Sequence, residues 1–110
     1  MATATYIQRG EALDYTNSGT ATIAAGTVIS IGARVGVAGC DIEPGAVGSL
    51  HVMGVFKVAK TGAAAIDMGA DVYFDGTGIT GTSGTGTVKA GYAAAAAEAS
   101  DTTIEVSINA

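Results

Sequence analysis

The sequence predicts an all-β fold, a small sandwich or barrel of short strands and Gly-rich turns. Three observations point there: a turn-and-strand pattern that recurs three times, a cleanly alternating strand at the end of the chain, and 17 glycines spread between them. The recurring pattern is Ile23-Ala-Ala-Gly26-Thr-Val-Ile29-Ser-Ile31, then Ile42-Glu-Pro-Gly45-Ala-Val-Gly48-Ser-Leu50, then Ile66-Asp-Met-Gly69-Ala-Asp-Val72-Tyr-Phe74. In each copy an isoleucine anchors one side of a tight turn. The glycine three residues later supplies a left-handed backbone position. The residues six and eight after the isoleucine then share one face of the emerging strand, and Ser30, Ser49 and Tyr73 point the other way. The copies start 19 and 24 residues apart, so they are a recurring module rather than a strict solenoid repeat.

The elements follow in order. Residues 1–10 are read as an arm or edge strand, with Ala4 to Gln8 a short strand and Arg9-Gly10-Glu11 a turn; residues 11–110 are read as a single β domain. Leu13 to Thr16 alternates briefly and stops at Asn17-Ser-Gly19, a turn signal. After the first module, Arg34 to Ala38 alternates again and pairs back as a hairpin across Gly32-Ala33. Pro44, the only proline, fits the turn of the second module and would not fit a central strand. Gly48 to Lys60 is the longest β-rich stretch, and Gly54 inside it marks a bulge or bend. Gly78 to Gly86 reads as a hairpin tip or mobile loop. Thr87 to Ala95 is Ala-rich but flanked by glycines and without a stripe of large apolar residues, which favours a strand over a helix. In Thr102 to Ile108, Ile104, Val106 and Ile108 face inward.

Composition narrows the function. Of the 48% hydrophobic residues, 22 are alanine, and Leu, Ile, Val and Phe together number only 23. Such a core is thin against the ordering entropy of a Gly-rich chain, so stability is expected to come partly from neighbouring copies. A net charge of −5 with five scattered basic residues argues against nucleic-acid binding. The single cysteine, Cys40, rules out an internal disulfide and a Cys-rich metal site, and is compatible with a reducing cytosol. Met1 to Tyr6 has neither the basic region nor the apolar core of a leader, and no stretch approaches a membrane-spanning length of strongly apolar residues. A soluble, non-exported protein without a membrane partner is expected.

Candidate chemistry is sparse. Gly54-Val-Phe-Lys-Val-Ala59-Lys60-Thr61 nearly matches a phosphate-binding loop, with alanine in place of the second glycine. Its intervening residues are strand-like and no helix follows. His51, the only histidine, alternates away from Leu50 and Val52 and reads as a surface residue. Asp67, Asp71 and Asp75 would cluster on a helix. On the strand read here, Asp67 falls in a turn and the other two lie about 13 Å apart, too far for a shared cation. No nucleophile–base–acid set and no carboxylate pair in apolar sequence stands out, so no catalysis and no cofactor are expected.

Taken together, Tyr6-Ile7-Gln8, Leu13-Asp-Tyr15-Thr-Asn17, the Ile-x-x-Gly modules, Val55-Phe56 before a lysine, Asp71-Val-Tyr-Phe-Asp75, Gly91-Tyr92-Ala93 and the closing strand resemble a known family. It is that of small phage head proteins, formerly a domain of unknown function, known as capsid cement or decoration proteins. The resemblance covers nearly the whole chain in order and spacing. It implies a virion structural protein made in the host cytoplasm, commonly a homotrimer. Such a protein binds the major capsid protein outside the expanded head and braces it against internal pressure. In related systems an N-terminal arm adds a strand to a capsid element, which makes Thr3, Ala4, Thr5, Tyr6, Ile7 and Gln8 the candidate capsid-binding residues. Members have also carried a recombinase label, which the broken phosphate loop here does not support. The alternatives are a ring-forming head–tail or tail protein, a nucleotide-binding protein resting on Lys60-Thr61, and a carbohydrate-binding module using Tyr73 and Tyr92.

Overall fold

A computed structural model describes residues 2–110, and among them every regular element is a strand. Nine strands run in chain order: β1 Ala12–Thr16, β2 Val28–Ile31, β3 Arg34–Ala38, β4 Val47–His51, β5 Val55–Ala59, β6 Asp71–Phe74, β7 Ile79–Thr80, β8 Val88–Ala93 and β9 Thr103–Ile108. They form two antiparallel sheets, ordered β1-β4-β3-β2 and β5-β9-β8-β6-β7. The result is an all-β sandwich, as the module pattern predicts.

The recurring turns have one chemical cause. Thr27 N–H donates to the Ala24 carbonyl, Ala46 to Glu43 and Ala70 to Asp67, at 3.1, 2.9 and 3.1 Å. Gly26, Gly45 and Gly69 sit at φ of 87°, 80° and 87°, the third position of a type II turn, where a side chain would be strained. Pro44 takes the second position, where its fixed φ suits that turn. Gly32, at φ 65°, opens the two-residue β2–β3 turn in the same left-handed region.

The two sheets are one construction built twice. Ile23 bridges Ile42 in the first unit, and Ile66 bridges Ala97 in the second. Gly26 N–H to Ala38 O and Gly69 N–H to Ala93 O are both 2.7 Å. Val52 N–H to Glu11 O and Ile108 N–H to Gly54 O are both 3.0 Å. Residues 11–31 thus superpose in pattern on 54–74, and residues 36–42 on 91–97. The extra length of the second unit lies between β6 and β8, where it contributes β7 and the Gly-rich segment. A fourth turn, at Glu98–Asp101, completes the set without isoleucine or glycine; Asp101 N–H donates to the Glu98 carbonyl at 3.0 Å.

The core lies between the sheets. Val35 and Val37 of β3 pack against Val72, Phe74, Ala90, Ile104, Val106 and Ile108, with Val28 alongside. At about 25 cal/mol per Å² of apolar surface removed from water, this cluster is the main stabilising contact between the two units. Ile29 and Ile31 share a face, as expected. However, the register pairs Val28 with Val37 and Ser30 with Val35, so the isoleucines point away from the second sheet.

Two sequence expectations are corrected. Ala4 to Gln8 forms no strand, because no neighbouring strand in the chain accepts its backbone groups; Met1 lies outside the described residues. Gly54, at φ 124°, marks more than a bulge: Val52-Met53-Gly54 carries the chain from the first sheet to the second. The Ala-rich stretch is a strand, as read, but a shorter one, ending at Ala93.

Candidate functional site

The residues singled out for capsid binding, Thr3 to Gln8, lie in an exposed strandless segment running into β1. Tyr6 and Ile7 are 77% and 81% exposed, the most exposed of the large apolar side chains among the described residues. Residues 2–8 carry no charge, and the first ionic contact is Arg9 to Glu11 at 3.3 Å on the surface. An uncharged, exposed stretch outside any strand is suited to pairing with a sheet edge. Beside it, Arg9, Gly10, Leu13, Ile31, Arg34 and Ala110 help line an open cleft of about 460 Å³ between the two units.

The other candidates resolve into structural roles. The near-match to a phosphate loop is mostly strand β5, and the Lys60 ammonium makes a part-buried contact, donating to the Gly62 carbonyl at 2.6 Å. The backbone there is therefore paired in a sheet instead of wrapped around an anion. His51 is half-buried on β4, its ring 6.3 Å from that of Phe56. Cys40 is exposed. Asp71 pairs with Lys89 at 3.6 Å on the surface, and Asp67 lies in its turn as expected. Asp75 falls just beyond β6, so the alternation expected to put it on the same face as Asp71 stops short.

Asp75 secures the start of the extra segment. One carboxylate oxygen accepts the Thr61 hydroxyl at 2.7 Å, and the other accepts the N–H groups of Thr77 and Gly78 at 2.9 Å. The Thr61 hydroxyl first, then the two N–H groups, hold this carboxyl below its ordinary value of 3.8. A depressed folded value means that these contacts stabilise fully above the ordinary value and weaken as pH falls through the folded one. Protection of the Thr77 and Gly78 amides, measured against their intrinsic exchange at each pH, is therefore expected to be constant above the ordinary carboxyl value and to fall as the pH drops through the lowered one. Asp75→Asn should remove that step; an unchanged step in the variant would assign it to another group.

Sequence reasoning missed two polar side chains that organise the units. Asn17 is 3% exposed and donates to the carbonyls of Ala21 and Ile42 at 2.8 and 2.9 Å, while accepting from Gly19 N–H at 3.0 Å. Asn109, at φ 57°, donates to the carbonyls of Val35 and Val52 at 2.7 and 2.9 Å and accepts from Val35 N–H at 3.2 Å. It ties the end of β9 to the first sheet. The signal for Asn17 was its turn context; asparagine's tolerance of the left-handed region was the only one for Asn109.

The molecule is thus an antiparallel β sandwich in which the buried amide of Asn17 holds a turn and the two most exposed large apolar side chains, Tyr6 and Ile7, sit on a strandless segment. The chain belongs to the phage cement protein family, whose model matches residues 7–108. No curated protein and no solved structure matches the chain. The family places it among virion capsid-stabilising structural proteins.

Proposed function

We propose that this protein is a non-catalytic homotrimer, made in the host cytoplasm, that seats on the outside of the expanded head. It grips the major capsid protein through Thr3, Ala4, Thr5, Tyr6, Ile7 and Gln8. The family match across 7–108 carries this reading, and the exposed strandless arm supports its finer part. The arm spans about 20 Å when extended, enough to add one strand to a capsid sheet edge, with Tyr6 and Ile7 on opposite faces. Main-chain hydrogen bonds would give affinity, and the two side chains specificity.

Co-sedimentation with empty expanded heads tests it. Deleting residues 2–8 is expected to abolish head binding while leaving the oligomeric state unchanged. Tyr6→Ala with Ile7→Ala should weaken binding at least about tenfold, as loss of central anchors does. Full binding by the truncated chain would refute the arm, and a truncated chain that loses its oligomeric state as well would give residues 2–8 a role in assembly instead.

A further inference from the structure

Equivalent faces of the two units have different fates. In the second sheet the face carrying Phe56, Val58, Val72, Phe74 and Val106 is core, covered by the β2–β3 part of the first sheet. The matching positions in the first sheet are Leu13, Tyr15, Ile29, Ile31 and Leu50. They are largely apolar too, yet they lie on the face turned away from the second sheet, with Leu50 buried at the centre and Leu13 and Ile31 at the cleft between the units. Leu50 lies across Gly36, where any Cβ would come within 2.5 to 2.9 Å of its branch carbons. Around it Tyr15, Ile29 and Ile31 are only half-buried, and Leu13 is 38% exposed. The first sheet is thus apolar on both faces, the pattern of a middle layer, and only one face has a partner.

The covering surface also has a counterpart. Within the chain, β2 and β3 cover the second sheet with Val28, Val35 and Val37. The same positions on β6 and β8, on the outer face of the second sheet, carry Asp71, Lys89 and Tyr92, and Tyr73 stands where the first sheet has Ser30. Tyr92 is 39% exposed and Tyr73 half-buried, with the Asp71–Lys89 pair between them. Tyrosines flanked by charge are typical anchors of a protein interface.

We infer that the outer face of the first sheet, around Leu13 and Ile31, is covered by a second copy of this chain. The second copy presents the outer face of its second sheet, Tyr73 and Tyr92 foremost. This repeats between chains the relation that already holds between units. Because the two surfaces differ, the contact is head-to-tail, and a ring closes when the rotation per copy permits it. The inference rests on the oligomeric reading above and names its interface.

Light scattering of two variants tests it, using sites exposed enough to change without opening the core. Leu13→Glu and Tyr92→Glu are each expected to reduce the solution mass to that of the 10.7 kDa monomer, with melting temperatures of the isolated chains close to each other. Each variant keeps the surface that the other lacks. Mixed at high concentration, they should form a one-to-one pair through the single intact contact, and neither should pair alone. A wild-type chain that is monomeric at every concentration, a variant that keeps the wild-type mass, or a mixture that stays monomeric would each overturn the inference. A Leu13→Glu chain that keeps its mass but no longer binds heads would assign that face to the capsid protein. Head binding by the 2–8 deletion is read separately, so failure of the arm and failure of this interface are distinct results.

Discussion

Gly91→Ala is expected to destabilise the protein by about 3–5 kcal/mol, the range of severe backbone and packing lesions. Gly91 lies at φ 145° on β8, where the pairing with β6 shifts register. A Cβ there would overlap the Ser107 carbonyl oxygen and approach Asn109 N at 3.1 Å. Both obstacles are backbone, one in β9 and one in the residue just after it, so no side-chain rotation relieves them. The lesion also strikes the strand carrying Ala90 and Ala93, which are fully buried in the core. Thermal unfolding should show a drop of about 15 °C or more for a chain of this size. Gly84→Ala is the matched control: its φ is ordinary and nothing lies within 4 Å of the added atom, so the change should stay within about 0.5 kcal/mol. Equal effects from the two variants would show that the close approach of β8 to β9 is not what requires glycine.

Asn17→Ala should cost about 1–3 kcal/mol by denaturant unfolding, because it removes a buried amide that joins the Ile42 and Ala21 carbonyls and the Gly19 N–H. The second unit provides its own comparison. Lys60 occupies the corresponding place after β5, its N–H donating to Thr102 O at 2.9 Å as Asn17 N–H donates to Ala46 O at 3.0 Å. Its ammonium, however, meets one acceptor, the backbone carbonyl of Gly62. Lys60→Met keeps the buried stem and loses one contact to a half-exposed carbonyl, so its effect should remain within about 1 kcal/mol. A Lys60→Met variant as unstable as Asn17→Ala would mean that the backbone arrangement shared by the two positions, and not the amide of Asn17, carries the stability.

The turns were legible in the sequence because their chemistry is local. A glycine at a left-handed position, a proline one residue before it and an apolar alternation after it leave little else for the chain to do. The closing strand was legible for the same reason. The duplication was not, since equivalent positions hold different side chains: Leu13 matches Phe56, Asn17 matches Lys60, and Ile42 matches Ala97. The longer β6–β8 connection also breaks any constant spacing. What repeats is the backbone hydrogen-bond pattern, and sequence records that only where it needs glycine. The alternation at Ala4 to Gln8 looked like a strand because alternation reports the shape a segment can take, while a strand also requires a partner. Likewise Ile29 and Ile31 announced a buried face, and periodicity could not say whether that face meets the other sheet.

The cleft between the units has a consequence for how the chain is threaded. Gly10 and Ala110 line it together, with Met53 and Gly54 of the connection between the sheets. The point where β1 is entered, the point where β9 is left and the crossover all meet at one place. A circular permutant opened between Met53 and Gly54, with a short bridge from Ala110 back to Gly10, would present the second unit first and keep every sheet pairing intact. The bridge would replace the residues before Gly10, giving a version of the molecule with its scaffold retained and its proposed grip removed.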